Sequence, residues 1–123
     1  LIILYLPYPP SVNNYWITSG NRKFLSKRGR EFKEQVVAYV IEKNVPKLGE
    51  MAVQIDIILR PRNKRLMDID NSCKAILDSI QDAGIIDDDS QVWKLTIERG
   101  ITHTGGSCVV MIEEYKEHKN DSK

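Results

Sequence analysis

Residues 51–61, MAVQIDIILRP, alternate Val53, Ile55, Ile57 and Leu59 against Gln54, Asp56 and Ile58. Successive side chains on extended backbone point to opposite faces, so a period of two marks a strand with one face turned to a core. The rest of the chain must supply that core. LIILYLP reads as a short buried strand, ended by PYPPSVNN, whose prolines lack amide donors and whose Ser and Asn residues favour turns. Ser26 is placed to cap a helix that carries Phe32, Val36 and Val40 at i, i+4 and i+8 until NVPKLGE breaks it. From Asn71 to Ala83, Cys73, Ile76, Leu77 and Ile80 fall at helical spacing, with Gly84 just past the end. SQVWKLTIERG and GSCVVMIEEY then read as two strands joined by ITHTGG, whose glycines suit a hairpin connection.

The order is therefore strand, helix, strand, helix, strand, strand. It predicts a small single α/β (α+β-like) domain over residues 1–115, with one mixed sheet of about four strands and two main helices. KEHKNDSK, residues 116–123, reads as a polar tail. A chain of 123 residues with 41% hydrophobic content is enough for one modest core. The apolar opening LIILYL is far shorter than the ~20 residues that span a bilayer. Neither anchor nor signal peptide is expected. The two cysteines, Cys73 and Cys108, lack CxxC spacing and a nearby histidine cluster, which argues against a zinc site or a disulfide framework and for a reducing, cytoplasmic setting.

Net charge is only +1, so a nucleic-acid face must be sought in how charge is distributed. Arg22, Lys23, Lys27, Arg28, Arg30 and Lys33 crowd one stretch, and Arg60, Arg62, Lys64 and Arg65 another. Directly after the second run, residues 66–89 hold seven aspartates and a single basic side chain, Lys74. If the segment before the second helix is extended, Asp68 and Asp70 share a side while Ile69 turns inward. Carboxylates so held repel each other, and one tends to take up a proton unless a cation sits between them. A divalent metal is the simplest remedy. Mg²⁺ prefers carboxylate oxygens and water, completed by substrate phosphate.

Plainer roles fit the same spacing. Asp70 stands where the second helix begins, a position that favours a carboxylate as a cap and through the helix dipole. Lys74 and Asp78 follow at successive turns, as an ordinary i, i+4 pair or as an ammonium set beside the carboxylates to meet a phosphate. If extended, Asp87 and Asp89 project to one side and Asp88 to the other, and a solvated turn is the plainer reading of all three. Spacing alone does not choose among them. An EF-hand is excluded, because its glycine position holds Cys73 and its final glutamate position holds Ser79.

Taken together, DIDNSCKAILDSIQDAGIIDDDSQV resembles the signature of the RusA family of Holliday junction resolvases: D-x-D-N, a lysine, a helix, A-G, then paired aspartates followed by Q-V. LPYPPSVNNYW is similar to that family's proline-rich loop after the first strand, whereas Lys23 to Arg65 is similar only in element order and in its basic run. The resemblance implies a homodimeric, Mg²⁺-dependent endodeoxyribonuclease of bacterial or bacteriophage origin, with Mn²⁺ as a substitute. It would cut branched DNA at four-way junctions by paired symmetric incisions, in recombination and repair. Residue by residue, Asp68, Asp70 and Asp89 match the metal-binding, catalytic aspartates and Lys74 the functional lysine. Asp88 matches the neighbour of the third aspartate, with a supporting role at the metal, and Asp87 has no acidic counterpart. Val12 departs from the loop pattern, which leaves open whether Asn13 or Asn14 takes the place of the loop asparagine.

The chemistry of phosphodiester hydrolysis agrees: it needs an in-line water, a metal to lower that water's pKa, and positive charge on the departing oxygen. Asp68, Asp70 and Asp89 would hold one or two ions, and Lys74 would steady the phosphate. DNA contacts are expected from Arg22, Lys23, Lys27, Arg28, Arg62, Lys64 and Arg65, and from Asn71 and the loop asparagines. Tyr8, Tyr15 or Trp16 would stack on or wedge against unpaired bases, with core packing as the alternative for each of them, and Trp93 is expected in the core. His103 and His118 receive no catalytic role. Two cuts on a two-fold junction call for two sites, which a closed dimer supplies, its interface being sought on an apolar face the helices leave uncovered. Two rivals stand beside this reading: a non-catalytic junction-binding protein, and a metal-dependent nuclease or phosphatase acting on simpler substrates. Neither accounts for the lysine one turn after Asp70 together with the later aspartates.

Overall fold

The computed structural model describes residues 1–117. His118 and most of the expected polar tail lie outside them. The elements run β1 (Ile2–Pro7), α1 (Val12–Tyr15), β2 (Trp16–Ser19), β3 (Arg22–Leu25), α2 (Lys27–Glu42), β4 (Val53–Arg60), α3 (Cys73–Asp82), β5 (Val92–Arg99) and β6 (Ser107–Glu114). Short 3-10 turns cover Ile69–Ser72 and Asp89–Gln91. Four strands form one mixed sheet in the order β1-β6-β4-β5, and β2 pairs with β3 in a separate hairpin.

The alternation in β4 holds along its length: Val53, Ile55, Ile57 and Leu59 are buried and the residues between them only partly so. In β1 the same rule buries Ile2, Leu4 and Leu6 and exposes Ile3 and Tyr5, so the first strand is buried on one face only. Phe32, Val36 and Val40 of α2 and Ala75, Ile76 and Ile80 of α3 complete a single core over that inner face. At roughly 25 cal/mol per Å² of apolar surface removed from water, this shared layer is the main force holding helices to sheet. Ser26 caps α2 as expected, its Oγ accepting from the Gly29 amide at 3.0 Å. Gly84 follows α3 at φ +83°, a backbone geometry that side chains rarely tolerate.

Two departures matter for the site. β5 and β6 are not hairpin partners: β4 lies between them, parallel to β5 and antiparallel to β6. The 100–106 connection instead folds over the end of β4, with Gly100 N donating to Leu59 O at 2.8 Å and His103 N to Pro61 O at 2.9 Å. As an interior strand β4 has its backbone groups paired along both edges, with β5 on one side and β6 on the other, in place of a local pairing of β5 with β6. The second departure is the β2–β3 hairpin, which occupies a stretch the periodicity left as loop and carries Arg22 and Lys23.

Candidate functional site

A cleft of about 760 Å³ opens where the end of β1, the start of α2 and the loop after β4 meet. Tyr8 of the proline-rich loop, Arg28 of the first basic run, Arg62 and Arg65 of the second, Asp68 and Asn71 all line it. Features far apart in sequence thus converge on one surface. The basic loop is held in place by a residue that periodicity did not single out: Arg99, at the end of β5, donates to Arg65 O at 2.6 Å and Asn63 O at 3.0 Å. A guanidinium fork suits this task, because two carbonyls of one loop are fixed by one planar group. An arginine closing a strand is the only sequence signal, and it does not separate anchor from DNA contact.

Asp68 has extended backbone, but Asp70 lies inside the 3-10 turn Ile69–Ser72, so the extended geometry expected for the pair applies only to its first member. Asp70 does not cap the helix either. The α-helix starts at Cys73, two residues later than expected, with Ser72 before it. Ile69 packs against the core as predicted. Both carboxylates are exposed, and neither has a hydrogen bond or ion pair among the described residues. Burial, followed by the charge of Asp70, raises the pKa of the neighbouring Cys73 thiol.

Asp87, Asp88 and Asp89 form a turn organised by two glutamines. Buried Gln91 accepts from the amides of Asp87 and Asp88 at 2.8 and 2.9 Å and donates to Gly49 O and Met51 O, each at 2.7 Å. Gln81, near the end of α3, accepts from the Asp89 amide at 3.2 Å. The Asp88 carboxylate caps the 3-10 turn through Ser90, whose hydroxyl and amide lower its pKa. The second acidic cluster therefore lies toward the C-terminal end of α3, whereas Asp70 precedes its N-terminal end. Eleven residues separate Asp70 from Gln81, an axial rise on the order of 16 Å. Among the described residues no three His, Cys, Asp or Glu side chains are gathered tightly enough to hold one metal ion.

Lys74 stands on the first turn of α3, its Nζ 3.2 Å from Asp78 Oδ1. The other oxygen, Asp78 Oδ2, accepts from the Tyr15 hydroxyl at 3.0 Å. Tyr15 is completely buried, with its ring edge-on to Trp16 at 5.1 Å. Of the two readings open for Tyr15, base stacking and core packing, the structure shows the second: the ring is packed in the core and its hydroxyl is tied to a carboxylate. Burial, reinforced by Asp78, raises the pKa of its hydroxyl. Tyr8 and Trp16 keep partly exposed rings, Tyr8 donating to Met67 Sδ at 3.0 Å and Trp16 lying under Lys23 Nζ at 4.9 Å from its centroid. Trp93 is likewise not core: it is 67% exposed on the edge strand β5, against Tyr115.

The remaining expected contacts are distributed as follows. Asn13 and Asn14 are exposed on α1, Arg22 and Lys23 on β3, Lys27 and Arg28 at the start of α2, and Arg62, Lys64 and Arg65 on the loop after β4. Lys27 is paired with Glu31 at 3.8 Å, a solvated contact of little energetic weight.

The family model for endodeoxyribonuclease RusA matches residues 7–113, nearly the whole described chain. The chain belongs to the RusA family. The family match spans the proline-rich loop, both basic runs and both acidic clusters, including the 23–65 stretch in which sequence motifs alone were weakest. Similar proteins include the crossover junction endodeoxyribonuclease of Enterobacteria phage HK97, 31% identical over 109 residues that cover 89% of this chain and 91% of the relative. The proteins of the same name from Enterobacteria phage 82 and Escherichia coli K12 are each 32% identical over 110 residues, with the same coverage. RusA relatives thus occur in phages and bacteria, and among the described residues no helix is long and apolar enough to cross a membrane.

Proposed function

We propose that this RusA-family chain is a homodimeric, Mg²⁺-dependent endonuclease that resolves four-way DNA junctions by paired nicks. The observation that carries the reading is the cleft on which the proline-rich loop, Arg28, Arg62, Arg65 and Asp68 converge. Arginines and a carboxylate that have no ion pair among the described residues suit a phosphate backbone that arrives together with a cation. That similar proteins are named crossover junction endodeoxyribonucleases supports a junction as the substrate of this chain.

Asp68 and Asp70 are the pair on which Mg²⁺ would rest, since this ion commonly takes one or two carboxylates and fills its shell with water and phosphate oxygens. A Mg²⁺ ion held by Asp68 and Asp70 would supply a lowered pKa for an attacking water and positive charge toward the phosphate. Asp89, toward the other end of α3, would reach that ion through a rearrangement of its turn or from a second protomer. Asp88 supports the turn as its cap. Lys74 adds positive charge beside the phosphate, and Arg28, Arg62, Lys64 and Arg65 grip the backbone while Asn13, Asn14 and Asn71 offer hydrogen bonds. Tyr8 is the aromatic residue best presented to an unstacked base. The dimer would form through the sheet face opposite the helices, where Ile3, Tyr5, Ile58, Val109 and Met111 are register neighbours on β1, β6 and β4. Tyr5 there is 61% exposed and Ile3 42%.

The test compares a synthetic mobile four-way junction with a linear duplex of the same sequence, with Mg²⁺ and with chelator, for the parent and Asp70→Asn. Symmetric Mg²⁺-dependent nicks confined to the junction are expected from the parent, and junction binding without cutting from the variant. Equal cutting by both would refute the assignment. Tight binding with no cutting under any metal would establish the non-catalytic alternative.

A further inference from the structure

We infer that Tyr15 and Asp78 form a positioning relay for Lys74, tying the proline-rich loop to the side chain that meets the phosphate. The inference rests on the proposed function for what Lys74 does, but not for how Lys74 is held.

An exposed lysine samples many rotamers, and an ordinary i, i+4 partner restrains it weakly because that partner is itself free to turn. Asp78 is not free. Its side chain is 17% exposed against 48% for Lys74, and its two oxygens are committed in opposite directions, Oδ1 to the ammonium at 3.2 Å and Oδ2 to the Tyr15 hydroxyl at 3.0 Å. Rotating the carboxylate breaks one of those bonds, and a half-buried oxygen left without its donor is costly. Tyr15 holds the inner end, so the outer end points the lysine.

Tyr15 is fixed in turn from three sides. Its ring is buried against Trp16, and its carbonyl accepts the Ser26 amide at 2.9 Å. Gly29 leaves room for it: a Cβ at that position would stand 2.9 Å from the Tyr15 carbonyl and 3.1 Å from ring Cδ1. The elements α1, α2 and α3 therefore meet at one side chain. The exposed Asn13 and Asn14 directly precede it, and the Asn14 carbonyl accepts the Ser26 hydroxyl. DNA that presses on these asparagines bears on the backbone that sets the Tyr15 ring, and through Asp78 on the lysine. Asp78 and Tyr15 touch neither metal nor substrate in this scheme. They are positioning residues, and a loop and a helix distant in sequence become one mechanical unit.

Tyr15→Phe removes the hydroxyl and keeps the ring, so packing is preserved; Asp78→Asn removes the charge, and Asp78→Glu restores it one methylene further out. With ¹⁵N-lysine labelling, the Lys74 ammonium signal, assigned by its loss in Lys74→Met, is expected to be visible in the parent and in Asp78→Glu at reduced intensity. It should broaden away in Tyr15→Phe and Asp78→Asn. Under single-turnover conditions at saturating enzyme, Tyr15→Phe should slow junction cutting roughly 10- to 100-fold, the scale expected when a catalytic group is slightly misplaced, with junction affinity changed less than about twofold. Urea unfolding identifies any variant that fails to fold, and the other variant then carries the test. A Lys74 signal unchanged by Tyr15→Phe, or a rate loss that follows only the fraction of folded protein, overturns the relay. If the parent cuts no junction while its Lys74 signal still depends on Tyr15, the proposed function fails and the relay stands as a structural fact about α3.

Discussion

Replacing Gln91 by leucine keeps a buried side chain of similar length and removes four hydrogen bonds at once. In the parent, Gln91 Oε1 accepts from the Asp87 and Asp88 amides and Nε2 donates to Gly49 O and Met51 O, all between 2.7 and 2.9 Å. A net contribution near 1 kcal/mol for each bond puts the ceiling at about 4 kcal/mol. Asp87 and Asp88 are exposed, so their amides recover part of this from water. Gly49 is only half-buried, and its carbonyl loses a partner in a tighter place. The expected loss is therefore about 3 kcal/mol, a large share of the 5–15 kcal/mol typical of a domain. With an unfolding entropy near 2.1 cal/mol/K per residue, the melting temperature should fall by about 10 °C. Thermal and urea unfolding followed by circular dichroism measure both. The effect should also be local: amide exchange at Asp87 to Ser90 should quicken before exchange in β4 does. A melting temperature within about 2 °C of the parent would show that this turn is not held by Gln91, and the account of the second acidic cluster would fall with it.

Gly29→Ala in an open helix would stabilise by about 1 kcal/mol, but the close approach of Tyr15 reverses the sign, and a net loss of about 1–2 kcal/mol is expected in urea unfolding. Burial pushes the Cys108 thiol up to about 12 from 9.0. Below pH 9 both folded and unfolded chains keep that proton; between about 9 and 12 only the unfolded chain releases it, so stability should fall as pH rises through that window. The same protonated, buried thiol should resist a disulfide reagent at pH 8 until the chain is unfolded, while the half-buried Cys73 reacts slowly in the native protein. Asp88 titrates the other way: Ser90 lowers its pKa below 3.8, so its stabilising bond is complete above that value and is lost as pH falls through the lower folded value. Asp88→Asn should remove this acid-side dependence from the pH profile of unfolding.

What the chain determines locally is read from its own periodicity. Alternation along residues 53–59 announces β4, the i, i+4 spacing of Phe32, Val36 and Val40 announces α2, and Ser26 and Gly84 mark helix ends, because each signal requires only a neighbour a few residues away. The D-x-D-N, lysine, A-G and paired-aspartate spacing likewise carries the resemblance to the RusA family without any contact being known. Tertiary structure alone decided the rest. It set β4 between β5 and β6, since strand order depends on which pairs bury the most surface across the whole sheet. It turned Tyr15 into the core and Trp93 out of it, since an aromatic side chain carries no mark of which side will be covered. It placed Asp68 on a cleft with Arg28 and Arg62 while parting Asp70 from Asp89 by the length of α3. The anchors that fix those loops, Arg99 and Gln91, bond to carbonyls and amides tens of residues away or across a tight turn. Backbone groups are the same at every position, so sequence cannot announce which of them a side chain will find.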